Sequence, residues 1–337
     1  MERTMQQLKS MQAAPLNVKV LLTKQRIREW VNEFGTDGVY VSFSGGKDST
    51  VLLTIAREMY PDIKAVFVDT GLEYPEIRDF VRTWDNVEWL KPKLTFKQVI
   101  EKYGYPFIGK EVADTIFWAK NGKADGKYTT SRIARLNGTY KDPSGNISRY
   151  CCTKWKFALD SPYEINSKCC DVMKKQPTKS YETKTKRKPI LAMMACESRK
   201  RTQGWIKTGC NAFNSKRPQS NPMAFWTEQD VLQFAKARNV TLASVYGDIV
   251  NQDEDGMTYD STFCEMPLKT TGCQRTGCMF CGFGCHLEKP GEGRFERMKL
   301  THPKQYEWIM KPWSEGGLGY KNVIDWLNEH GNLDIRY

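Results

Sequence analysis

The sequence predicts an α/β fold, a parallel sheet with flanking helices, followed by a cysteine-rich carboxyl-terminal region that binds metal. Three observations carry this. Short apolar runs of strand length alternate with helical patterns of about 10 to 15 residues through the first third of the chain, the rhythm of βαβ units. A Gly45-Gly46-Lys47 turn joins the first such run to a helix. Four cysteines, Cys273, Cys278, Cys281 and Cys285, fall within 13 residues.

Taken in order, Asn17 to Phe34 places Val18, Val20, Leu21, Ile27, Trp30, Val31 and Phe34 mostly at helical spacing, and Gly35-Thr-Asp-Gly38 ends the pattern. Val39 to Phe43 reads as a strand buried on both faces, and Ser49 to Met59 as the helix after the turn. Ala65 to Val68 is a second strand, with a helix opening at Pro75, the residue favoured in a first turn. Val87 to Leu90 is a third. Residues 120 to 188 read as a loop-rich insertion. Within it, Lys174 to Lys188 holds seven Lys or Arg against one acid, Glu182, and is either a solvated face or a phosphate-binding patch. Pro189 to Met194 offers a fourth strand. Thr227-Glu-Gln-Asp230 opens a helix with a capping-box pattern in which Asp replaces Glu or Gln. Lys321 to Glu329 is a terminal helix. The expected division is a nucleotide-binding α/β domain over 1–240 and a cysteine-rich region with helices over 241–337.

The 337 residues carry 51 Lys plus Arg against 39 Asp plus Glu, a net charge of +12 that favours anionic partners, nucleotides or nucleic acid. No apolar run approaches the roughly 20 residues of a bilayer span. Without an apolar leader at the amino terminus, the chain is expected in the cytoplasm. Eleven cysteines, an odd number in such a chain, point to metal binding or thiol chemistry rather than a disulfide framework.

Ser42-Phe-Ser44-Gly45-Gly46-Lys47-Asp48-Ser49 lies where a strand gives way to a helix. Two glycines let the backbone approach an oxyanion, helix-terminal N–H groups attract it, and Ser and Lys add hydrogen bonds and charge. These residues form a candidate nucleotide-phosphate cradle, and the spacing is not that of a Walker loop.

Ser44-Gly-Gly-Lys-Asp-Ser49 resembles the PP-loop of the adenine nucleotide α-hydrolases. Val66-Phe-Val-Asp69-Thr-Gly71-Leu-Glu-Tyr-Pro75 resembles the second-strand motif of their phosphoadenylyl sulfate (PAPS) reductase branch. The likeness extends to Glu197-Ser-Arg199-Lys-Arg201, to Phe225-Trp-Thr-Glu-Gln-Asp230 and to the cysteine block. It implies a PP-loop fold in which Ser42 to Ser49 hold phosphates, the chain at Asp69 and Gly71 lies by the adenosine, and Arg199 and Arg201 face phosphate or sulfate. Two departures count against sulfonucleotide reduction. That branch commonly lacks a loop Lys and carries a nucleophilic Cys in a Glu-Cys-Gly tail, whereas here Lys47 is present and no cysteine follows Cys285. Its Gly-x-Arg ahead of the Glu-Ser motif is also replaced, by Ala192-Met193-Met194. Lys47 and Asp48 suit ATP with Mg²⁺, cleaved to AMP and pyrophosphate as an acceptor is adenylated.

All-thiolate sites select zinc or iron–sulfur. The cysteine block alone offers Cys273, Cys278, Cys281 and Cys285. Iron–sulfur members of the resembled branch instead join a Cys-Cys pair to a distant Cys-x2-Cys, which implies Cys169, Cys170, Cys278 and Cys281; both sets remain open. A 4Fe-4S cluster is expected ahead of zinc. The remaining cysteines, 151, 152, 196, 210 and 264, read as packing residues, with Cys210 a candidate sulfur-carrying nucleophile. His286 and His302 read as structural. The leading expectation is an ATP pyrophosphatase that transfers sulfur, with tRNA or DNA as acceptor and a protein as sulfur donor. A PAPS or APS reductase and a nucleotide-sensing, nucleic-acid-binding regulator are the alternatives.

Overall fold

The computed structural model describes residues 3–122, 127–252, 258–259 and 267–337; Cys264 lies outside them. The chain forms two compact units, Met1–Asp69 with Glu73–Lys91 and Pro177–Thr276, and Thr70–Leu72 with Pro92–Gln176 and Gly277–Tyr337. A single cut at 240/241 does not describe this division. Residues 92–176 pack with the carboxyl-terminal residues, so the chain leaves the first unit and returns to it.

The first unit is built on a six-stranded sheet. β1 (Val39–Ser42) pairs in parallel with β2 (Ala65–Val68), and β2 with β3 (Val87–Leu90). On its other edge β1 pairs in parallel with Lys188–Ile190, which is followed by Gln219–Ser220 and an antiparallel Asn211–Ala212. The parallel α/β sheet expected from the alternation is therefore present. Val39 and Val41 are fully buried, as a strand covered on both faces requires. Helices α1 (Met5–Gln12) and α2 (Leu16–Phe34) precede the sheet, and α3 (Lys47–Met59) follows β1. Val51, Leu52, Leu53 and Ile55 of α3 are fully buried, each side chain contributing about 1.5–3 kcal/mol. Helix α4 (Pro75–Arg82) starts at Pro75 as the sequence predicts.

Two expectations are corrected, the fourth strand and the loop-rich insertion. The fourth strand is Lys188–Ile190 and not 189–194, because the Glu197 carboxylate accepts the Met194 N–H at 3.2 Å and turns the chain into a 3₁₀ segment. Most of the basic run lies in a helix, Gln176–Thr185, that buries only Tyr181, in agreement with the solvated-face reading. Its one acid, Glu182, accepts a hydrogen bond from the Tyr40 hydroxyl at 2.7 Å and a two-pronged one from Arg217. The supposed loop-rich insertion contains the helix Lys127–Asn137, packed on the helix Lys110–Lys120 that precedes the insertion. What survives of the loop is 141–146, where Asp142 accepts the N–H groups of Ser144 and Asn146 in an Asx turn.

The second unit is mainly helical. Phe107, Phe295 and Tyr320 meet at its centre, and the Tyr320 hydroxyl donates to the Phe280 carbonyl at 2.7 Å. A two-stranded parallel pair joins Phe107–Ile108 to Gly282–Phe283. Ile108 has φ +70°, a strained conformation for a β-branched residue.

Candidate active site

Strand order in the first unit runs outward one way from β1 through β2 to β3, and the other way through Lys188–Ile190. β1 thus ends at the topological switch point, where open α/β sheets bind ligands beyond their strand carboxyl ends. The glycine-rich loop leaves β1 there. Gly45 has φ +71°, and a Cβ on it would come within 2.8 Å of Ile77 and Val81 methyls. The loop is tightened from within: the Ser44 N–H donates to Ser49 Oγ at 3.1 Å, the Gly46 N–H to Ser44 Oγ at 3.3 Å, and Ser49 Oγ–H to the Gly46 carbonyl at 2.9 Å. Helix α3 follows with Gly46 at its N-cap and no capping side chain, so its first-turn N–H groups beyond that of Lys47 are there for an anion to use. Ser42 is half-buried and Ser44 exposed.

Lys47 is 3% exposed, an unusual state for a lysine. Its Nζ donates to the Gln274 carbonyl at 2.6 Å and pairs with Glu228 Oε1 at 2.8 Å. Its backbone N–H donates to the Tyr246 hydroxyl at 3.1 Å, itself 2.5 Å from Thr276 Oγ1. Burial pushes the Tyr246 phenol up to about 12. Asp48 has a buried, unpartnered Oδ1, and burial raises its pKa; Glu228 acts in the same sense, while Lys47, Arg275 and Arg201 oppose it. Arg201 is ion-paired with Glu197, whose other oxygen holds Arg275 at 3.3 Å. Burial lowers the Arg201 pKa, as does its neighbour Arg275.

Lys47, Asp48 and Arg201 are thus brought into one electrostatic cluster. Arg199 is exposed on the first turn of its helix, Arg199–Thr208. Asp69 is 7% exposed and held by Arg78 at 3.0 Å, and Gly71, at φ +74°, belongs to the second unit. Sequence reasoning missed Glu228, Tyr246, Gln274, Arg275 and Thr276. Only Glu228 carried a signal, in Thr227-Glu-Gln-Asp230, which the capping pattern absorbed.

The cysteines separate. Cys169, Cys170, Cys278 and Cys281 line one small cavity of about 20 Å³ in the second unit, with Phe96, Pro106, Met173 and Phe280. Cys170 is pulled down to about 5, first by a hydrogen bond from Cys169, then by Lys110 and Lys174. Cys169, the donor, moves up, with Cys281 and Cys278 adding to the effect. Cys285 is buried, which raises its thiol to about 12, and Cys273 is a buried residue of the first unit. Among the described residues no group of three or more His, Cys, Asp or Glu has the arrangement for a single metal ion. Four thiols in a mostly apolar cavity are nonetheless a donor set that fits an iron–sulfur cluster.

Residues 38–109 match the phosphoadenosine phosphosulfate reductase domain. The chain is 40% identical over 73 residues to an uncharacterised protein of Methanocaldococcus jannaschii, 20% of this chain and 18% of that protein. It is 27% identical over 124 residues to the adenosine 5′-phosphosulfate reductase of Staphylococcus haemolyticus, 35% of this chain and 51% of that enzyme. These matches span about half of the relatives' own length or less. The phosphoadenylyl-sulfate reductase of Candida auris, solved as a phosphate complex, aligns at 13% identity with a TM-score of 0.38, covering 72% of this chain and 91% of that one.

Proposed function

We propose that this chain, which carries a PAPS reductase domain of the PP-loop superfamily in residues 38–109, binds ATP at Ser42 to Ser49, cleaves it to AMP and pyrophosphate while adenylating an acceptor, and delivers sulfur to that acceptor. The observation that carries the ATP reading is Lys47, a buried cation at the head of α3 and one residue beyond the glycine pair. The α3 amides and the hydroxyls of Ser44 and Ser49 bind the phosphates. The Lys47 ammonium, oriented by the Gln274 carbonyl and Glu228, offsets charge developing on the departing pyrophosphate. Asp48 and Glu228 are the carboxylates that would hold Mg²⁺, which neutralises phosphate charge when bound. Arg201 lies within the same field and steadies the nucleotide's negative charge.

Cys169, Cys170, Cys278 and Cys281 are the residues that would hold a 4Fe-4S cluster, with Cys273 and Cys285 outside the set. Bound there, it supplies redox and sulfur-binding chemistry. The net charge of +12 supports a nucleic-acid acceptor such as tRNA or DNA, reached through salt-sensitive phosphate contacts.

One observation favours a second reading, sulfonucleotide reduction. Cys196 is exposed; burial of its thiol, the largest effect, and Asp48 raise its pKa, while Arg275 beside it favours the thiolate. As a thiolate it would attack the sulfate sulfur, forming an S–S bond as the S–O bond to the nucleotide breaks and the nucleotide leaves with the electron pair. Chromatography of products from ATP, PAPS and APS separates the readings. AMP with pyrophosphate from ATP supports the first; the nucleotide from PAPS or APS, with sulfite once an added dithiol cleaves the S–S bond on Cys196, supports the second. Turnover of none of the three overturns both and leaves a nucleotide-sensing regulator.

A further inference from the structure

The first unit contains a second cleft, of about 540 Å³, none of whose lining residues belongs to the phosphate loop. That volume is in the range of small-molecule sites. It is lined from Arg3, α1, α2 and the segment 205–213. Arg3 and Arg26 contribute two guanidiniums and Glu29 the one carboxylate, so the lining carries one excess positive charge. Arg26 is engaged by both Glu29 oxygens, at 2.7 and 2.9 Å, and Glu29 also accepts the Asn211 side-chain amide at 3.1 Å. Among the described residues, Arg3 has no acidic partner. Its guanidinium instead lies over Gly209, where an added Cβ would come within 2.7 Å of it, so the glycine makes room for the cation.

An independent observation points to a ligand. Trp205 lines the cleft, is 6% exposed, and its indole N–H has no hydrogen-bond partner. The indole favours the neighbouring Cys210 thiolate without reaching it in a proper hydrogen bond, while burial, the larger effect, keeps that thiol protonated. A buried donor left unmade costs about 1–3 kcal/mol; the N–H is sealed from solvent, so an acceptor in the cleft recovers this through a small shift of the indole towards it. Met11, Phe213 and the Trp205 ring supply apolar surface beside the charged end.

We propose that this cleft binds a small organic anion, a carboxylate carried on an aromatic or aliphatic body, with Arg3 receiving the charge, the Trp205 N–H donating to the anion, and Phe213 packing against the body. The site is separate from the phosphate loop and does not depend on which reaction occurs there.

The test titrates the full chain with benzoate, and with benzamide as the uncharged isostere, by calorimetry and by the indole ¹H–¹⁵N resonance that Trp205→Phe removes. Saturable binding of benzoate at one site, with a shift of that resonance and with benzamide roughly tenfold or more weaker, is expected. Arg3→Gln, a change near the chain terminus that leaves the core intact, should weaken benzoate by roughly tenfold or more. Trp205→Phe keeps the ring's bulk and should weaken it several-fold. Absence of saturable benzoate binding overturns the proposal. So does binding that benzamide equals, or that neither variant changes.

Discussion

At the residue scale, the site turns on two neighbours with opposite burdens. Lys47 is buried yet doubly engaged, so its charge is held in place, as the proposed role toward phosphate requires. Lys47→Ala should lower ATP cleavage by about 10²–10³-fold, a loss typical of removing one preorganised charge-stabilising donor. Unchanged turnover and ATP affinity would place the phosphates elsewhere. Asp48 is the strained member, because burial raises its carboxyl above the ordinary 3.8. A group raised in this way favours folding while protonated, and that contribution is lost as pH rises through its folded-state pKa. Asp48→Asn should therefore raise the melting temperature at neutral pH, the gain shrinking to nothing below pH 3.8, where both side chains are neutral. It should also abolish most ATP turnover, since an amide is a poor Mg²⁺ ligand. A melting temperature that falls at pH 7 and stays low at pH 3.5 would show that Asp48 is held by contacts, not merely buried.

At the element scale, the helix Glu228–Ala237 delivers Glu228 to Lys47, and its placement rests on a buried ion pair. Lys19 of α2 reaches both Asp230 oxygens at 2.7 Å, while Asp230 also accepts the Thr227 N–H at 2.7 Å. Their side chains are 3% and 8% exposed. Removing one partner strands a buried charge, so Lys19→Met should destabilise the fold by about 3–5 kcal/mol in denaturant titration. The double change Lys19→Met with Asp230→Asn should recover part of that loss. A single-variant cost below about 1 kcal/mol would mean the pair is solvated in solution.

At the scale of the whole molecule, the decisive test concerns the thiols. Protein purified anaerobically should be brown and contain about four iron and four sulfide per chain. Cys169→Ser or Cys278→Ser should lose most of that iron, whereas Cys273→Ser and Cys285→Ser should retain it. Iron lost from Cys273→Ser and kept in Cys169→Ser would transfer the site to the 273–285 block. A colourless protein with one zinc and no sulfide would overturn the cluster altogether.

The sequence by itself determined the parallel sheet, the phosphate-loop position and the capped helix at Thr227, because each follows from local pattern: period, glycine placement, and a side chain three residues from its backbone partner. It also put Cys278 and Cys281 in both of the candidate ligand sets it left open. Tertiary structure alone decided what surrounds Lys47, since Glu228, Tyr246 and Gln274 lie some 180 to 230 residues away along the chain and are joined to it only by packing. It likewise gathered Cys169 and Cys170 with Cys278 and Cys281 around one cavity while leaving Cys273 in the other unit. Proximity along a chain constrains which thiols are near in sequence, but a cavity is closed by whichever segments pack around it, and spacing carries no record of that.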